Sequence, residues 1–172
     1  TRFTSLSLAH SRFKHLAGDD AEIDGAIDLS NVAPLDAGHD VLTISLRGVR
    51  ISGDLNARSA KLARAVESDV HALMLEGAEI GGDLSLDGGF EAFGCVWLRN
   101  VKIHGTLACG AATLLNRSDD AKGQALNADG AHFAGAFMRG VKVEGEARFS
   151  GARIEGDFDI SDGASLRNET GV

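Results

Sequence analysis

The chain has no tyrosine, one tryptophan, one proline and two cysteines in 172 residues. Two thiols, Cys95 and Cys109, are too few for the disulfide framework that staples small secreted domains, so the fold must rest on packing. A reducing, cytoplasmic setting is the default that this usage suggests, and a bridge between the two thiols stays open. No apolar run reaches the roughly 18 residues of a membrane-spanning helix. Basic residues are outnumbered, 17 Lys and Arg against 25 Asp and Glu, for a net charge of −8 and a pI near 5.1. Direct nucleic-acid binding, which needs a basic stripe, is disfavoured. The six histidines include no His-x-x-x-His pair, and neither Gly-x-Ser-x-Gly nor a phosphate-binding loop is present. The residues imply no cofactor or metal. The start shows no secretory-signal pattern, and both ends read as cut through a repeat.

What the chain has is glycine, 22 of it, at regular places. Aligned on Ile23, Ile51, Ile80, Ile103, Phe133 and Ile154, one pattern recurs six times, at intervals of 28, 29, 23, 30 and 21 residues. Three residues before each anchor stand Asp20, Gly48, Gly77, Asn100, Gly130 and Gly151, all types that tolerate a left-handed backbone. Two residues after it stand Gly25, Gly53, Gly82, Gly105, Gly135 and Gly156, read as one repeated corner. Four after come Ile27, Leu55, Leu84, Leu107, Phe137 and Phe158. Six after come Leu29, Ala57, Leu86, Cys109, Arg139 and Ile160, where only Arg139 is not apolar. Apolar residues two apart between such corners predict very short strands. That much glycine excludes helices, at up to about 1 kcal/mol each. Self-similarity at this period predicts a solenoid of stacked parallel coils, a rod roughly 25–30 Å long at about 4.8 Å per coil. A half-period apolar column is expected at Leu62, Phe90, Leu114 and Val143.

From Ala131 the chain runs in fives: Ala-His-Phe-Ala-Gly, Ala-Phe-Met-Arg-Gly, Val-Lys-Val-Glu-Gly, then Ala147-Arg-Phe-Ser-Gly and Ala152-Arg-Ile-Glu-Gly. Here it resembles the pentapeptide-repeat family, well over 131–156 and more loosely over 20–115. That resemblance implies an all-β, right-handed parallel β-helix, four-sided, of about six coils, one domain over 1–172. The strict polar and Leu positions of that family are not kept. The Ile-x-Gly-Asp-Leu stretches resemble bactofilins more distantly.

Around this frame the expectations are local. Loops are expected at 36–40 and 91–95, helical turns at 61–70 and a polar insertion at 115–124, all along one edge of the rod where a partner could bind. Glu22, Arg50, Glu79, Lys102, His132 and Arg153 predict an outward charge ladder. Met74 and Trp97 share one outward position on neighbouring coils; covered by a loop or by a partner, they form the candidate partner surface. His10, His15 and Asp19 read as plain surface. The acidic last coils (Glu144, Glu146, Glu155, Asp157, Asp159, Asp162) read as a solvated face, with Asp157, Asp159 and Asp162 at a spacing that could hold calcium. Ile80→Ala or Leu84→Ala is expected to cost roughly 2–5 kcal/mol, and Gly82→Val to lower the melting temperature. The function expected is a non-catalytic scaffold or protein-interaction module, through a protein partner or self-association. The family resemblance adds a second reading, a DNA-mimicking regulator of a type II topoisomerase. A carbohydrate-acting β-helix enzyme is the third.

Overall fold

The computed structural model describes residues 2–36, 41–62, 71–116 and 123–167. Over these the protein is all-β, with short strands and no helix. Every strand pair is parallel, and each strand pairs with the one about a repeat away, an arrangement compatible with a β-solenoid. The anchors form one column: Phe3, Ile23, Ile51, Ile80, Ile103, Phe133 and Ile154 are successive register partners. Phe3 adds a seventh member, so the stretch 1–19, expected as a partial coil or cap, carries its own set of strands between Arg2 and Ala17. Ile27, Leu55, Leu84 and Leu107 form the next column. Leu62, Ala92, Leu114 and Val143 form a third, in which Ala92 takes the place expected for Phe90; Phe90 is buried beside it. Leu16, Ile44, Leu73, Val96, Leu126 and Ala147 form a fourth. These columns merge into one hydrophobic cluster.

The residues three before each anchor all have positive φ, between 54° and 67°. The left-handed turn expected there is present in every copy, and it explains why only Gly, Asn and Asp occupy it. The glycines two after the anchor serve a different purpose. Their φ is not positive; what they provide is close approach. Gly53 N–H donates to Gly25 O at 2.9 Å, Gly82 N–H to Gly53 O at 3.0 Å and Gly105 N–H to Gly82 O at 3.0 Å. A Cβ on Gly105 would stand 2.7 Å from the Gly82 carbonyl oxygen and 2.8 Å from its carbon.

The fifth copy departs from the expected columns. Ile103 pairs with Phe133, yet Thr106 pairs with Gly135, so this turn is one residue shorter. Gly135 is therefore outside the glycine stack, and Ala134 O accepts the Gly156 N–H at 2.8 Å in its place. Everything downstream moves by one. Ala136 and Met138, not Phe137 and Arg139, enter the core, both fully buried. Arg139 lies outside, its Nε donating to Asp159 at 2.5 Å. The loop expected at 91–95 is also corrected: Glu91–Phe93 and Cys95–Trp97 are strands, turned by Gly94 at φ 126°.

Candidate functional site

One edge of the molecule is crossed in every copy, where the chain leaves a third-column strand or its counterpart and enters a fourth-column strand. In sequence terms the chain goes from Phe13 to His15, Pro34 to Thr43, Leu62 to His71, Phe93 to Cys95, Leu115 to Gln124 and Glu144 to Glu146. Three of these crossings carry the insertions, so their flanks do share one edge. The inserted residues 37–40, 63–70 and 117–122, including most of the expected helical turns and polar insertion, lie outside the described residues.

The strands that follow this edge present an outward row six residues before each anchor: Ala17, Ser45, Met74, Trp97, Asn127 and Arg148 are successive register partners. Met74 and Trp97 are neighbours in it, as the spacing predicts. Both are half-buried. The Trp97 ring meets the His71 ring at 4.8 Å between centroids and 59° between planes, a tilted contact that fixes the indole. Whether a loop covers the pair turns on residues outside the described ones.

Beside Trp97 lies an open groove of about 470 Å³, bordered by Arg99, Gln124, Asn127, Asp129 and Arg148 among others. Its polar groups are held in a chain of hydrogen bonds. Asn127, only 4% exposed, donates through Nδ2 to Gln124 Oε1 at 2.9 Å. The Asp129 N–H donates to Asn127 Oδ1 at 3.0 Å. Asp129 in turn accepts from Arg148 Nε at 2.9 Å and from the Ser150 N–H at 2.8 Å. Arg148 also reaches Glu146 at 3.6 Å, and Arg99 reaches Glu76 at 3.8 Å. Both guanidinium groups bordering the groove thus have a carboxylate partner.

Asp19, read from sequence as plain surface, belongs to a second charge column that the sequence reading missed. Four residues before the anchors stand Asp19, Arg47, Glu76, Arg99, Asp129 and Ser150. Asp19 accepts from Ser45 Oγ at 2.6 Å, from the Arg47 N–H at 2.9 Å and from Arg47 Nε and Nη2 at 3.0 and 2.8 Å. Burial opposes its charge, but these bonds from Ser45 and Arg47 outweigh that and hold its carboxyl below the usual range. The fixed offset was the available signal. The expected ladder one residue before the anchors forms in part: Arg50 pairs Glu22 at 3.5 Å, while Glu79 turns to His104 at 3.0 Å and His132 to Glu155 at 3.1 Å. The hydrogen bond from His104 holds the Glu79 carboxyl below its ordinary value. His15 Nδ1 lies 2.7 Å from Thr43 Oγ1.

Cys95 and Cys109 are separate, buried free thiols, and burial pushes the pKa of both up to about 12. They are small core side chains in this structure, not a bridge. Among the described residues no three His, Cys, Asp or Glu side chains converge as a metal would require, so Asp157, Asp159 and Asp162 form no calcium cluster. No described helix is long and apolar enough to cross a membrane. Comparison with known proteins returned no matching family model, no matching curated protein and no matching solved structure.

Proposed function

We propose that the chain is one right-handed, four-sided β-helix domain that acts as a non-catalytic assembly scaffold, its contacts made through its end coils. Parallel strands joined by crossovers are right-handed in nearly all proteins, which supports the hand. Four strand positions per repeat support the four sides. The observation that carries the function is where large apolar side chains meet solvent. Apart from Leu35, the large exposed ones lie on the first and last described repeats: Phe3 (45%), Phe158 (47%), Ile160 (41%) and Leu166 (50%). Their column-mates between, such as Ile80, Leu84, Leu86 and Leu114, are fully buried. Such faces attract further strand surface.

The occupant we assign is a second copy of this chain, stacked head to tail. Residues 2–17 carry Arg2, Arg12 and Lys14 and no carboxylate. Residues 153–167 carry Glu155, Asp157, Asp159 and Asp162 against Arg153 and Arg167. Stacking would set Phe3 on Ile154 and Leu6 on Phe158, continuing both columns, with opposite net charges facing. A head-to-tail contact of this kind is open-ended. Light scattering after size-exclusion chromatography, at two protein concentrations and two salt levels, tests the reading. Mass that grows with concentration and falls in Phe158→Asp supports it. A monomer under every condition rejects it. Growth unchanged by Phe158→Asp moves the contact elsewhere and also rejects it.

A further inference from the structure

The groove beside Trp97 lies on a lateral face, with Trp97 two strands in from the end strand that carries Arg148, and its chemistry calls for a small ligand. Trp97 is the only tryptophan, and it stands outward in a row otherwise made of alanine, serine, methionine, asparagine and arginine. Its ring is held by His71, so little freedom is lost when something stacks on it. Around it stand three amides (Asn100, Gln124 and Asn127), a carboxylate and two guanidinium groups, the planar donors and acceptors that reach paired hydroxyls. Their mutual hydrogen bonds place them in advance: Gln124 to Asn127, Asn127 to Asp129, Asp129 to Arg148 and to the next backbone turn. The nearly buried Asn127 amide at the floor anchors this chain.

The surroundings narrow the ligand. Arg148 lies against Asp129 and Glu146, and Arg99 against Glu76, so a phosphate would meet cations already neutralised. The border is too polar for an apolar ligand. Strands Cys95–Trp97 and Gln124–Asn127, which hold Trp97 and two of the amides, are interior members of a six-stranded sheet, so a peptide backbone could add only beyond the edge strand Glu146–Arg148 at the far rim of the groove, not on the strand that carries Trp97. A sugar ring has one face of C–H groups to lie on an indole and a rim of hydroxyls for the amides, carboxylate and guanidinium groups. We propose that this groove binds a neutral saccharide, with Trp97 as the platform and Gln124, Asp129, Arg99 and Arg148 reading its hydroxyls.

With no tyrosine and one tryptophan, the intrinsic fluorescence of the whole chain reports this one site. The test is titration with soluble β-1,4-linked glucose and xylose oligomers and α-1,4-linked glucose oligomers, with sorbitol as control. The expected result is a saturable change in Trp97 emission with at least one oligomer, at a Kd on the order of 1 mM or tighter, and none with sorbitol. By calorimetry Trp97→Ala should abolish this binding, and Arg99→Ala, an exposed change that spares the fold, should weaken it severalfold. No saturable change with any oligomer overturns the proposal, as does equal binding by Trp97→Ala. The assembly experiment is read by mass alone, so either proposal can fail without the other.

Discussion

Two edges of this molecule are built on opposite terms. At the glycine edge, Gly25, Gly53, Gly82 and Gly105 hydrogen-bond backbone to backbone from one repeat to the next, at 2.9–3.0 Å, with no space for a side chain. The repeats admit no insertion there. At the other edge, between the third and fourth columns, Phe93 and Cys95 are joined by Gly94 alone, while eight residues separate Leu62 from His71. The difference teaches that length and chemistry collect where the ladder does not run through the turn. The groove beside Trp97 opens on strands that begin at that looser edge.

The sharpest way to break the comparison is at the tight edge. Gly105→Val would drive its Cβ into the Gly82 carbonyl, a backbone group that cannot swing aside. A loss on the order of 4 kcal/mol is expected, read as a large fall in the urea midpoint. Gly82→Val meets the Asp54 carboxylate and the Gly53 carbonyl carbon at 3.1 Å, and should also lower the midpoint. Gly135→Ala is the control, because its Cβ would meet nothing closer than 3.4 Å and its φ is not positive. Its cost should stay within about 1 kcal/mol. A Gly135→Ala as damaging as Gly105→Val would mean that the shortened fifth turn is not what separates them.

At the loose edge the expected effect is smaller. One extra glycine after Gly94 lengthens a crossing that takes insertions in three other repeats. Closing a slightly longer loop costs only fractions of a kcal/mol, so a midpoint shift equivalent to about 1 kcal/mol or less is expected. The same insertion after Gly105 should unfold the protein at moderate urea. If both insertions cost alike, the two edges do not differ in the way the hydrogen bonds indicate.

The anchor columns were legible because two physical demands recur at fixed offsets, a left-handed turn before the anchor and a close backbone approach after it. Column counting failed where the backbone took a shorter path. Nothing in Phe133-Ala-Gly-Ala-Phe announces that Ala134 alone spans what His104 and Gly105 span together, so Gly135, Phe137 and Arg139 were each assigned one place too far. The Met74 and Trp97 row was readable from its offset. Its setting was not, because most of the polar groups around Trp97 come from Gln124 to Ser150, a repeat or two later, and their hydrogen bonds carry no periodic mark. The Asp19 column alternates in sign just as the Glu22, Arg50, Glu79 and Lys102 ladder does, so the same count of offsets, made four residues before the anchor instead of one, would have found it.

That Asp19 column gives a pH-dependent contrast. Its folded carboxyl lies below the ordinary value of about 3.9, so its stabilising contribution is complete above that value. The contribution is lost as pH falls through the depressed folded value. Asp19→Asn should therefore melt below wild type near neutral pH, and the two curves should converge under strong acid. Melting temperatures across that range check it; a difference that persists into strong acid would place the effect in packing.

The smallest expected effect lies on the exposed ladder before the anchors. Arg50 and Glu22 approach to 3.5 Å, with side chains 69% and 53% exposed. Two long side chains must be held in place for one solvent-screened attraction. A double-mutant cycle with Arg50→Ala and Glu22→Ala should give a coupling of at most about 1 kcal/mol, shrinking as salt is raised. Asp19 and Arg47 form the stronger counterpart, since the Arg47 side chain donates to that carboxylate through both Nε and Nη2, at 3.0 and 2.8 Å, and the Ser45 hydroxyl holds the carboxylate in place for it. Their coupling should exceed that of Glu22 and Arg50 and lose less to salt, because part of it is local hydrogen bonding. If the two couplings are equal at every salt level, the paired Arg47 donors add nothing that the exposed ladder lacks, and the distinction between the two charge columns falls.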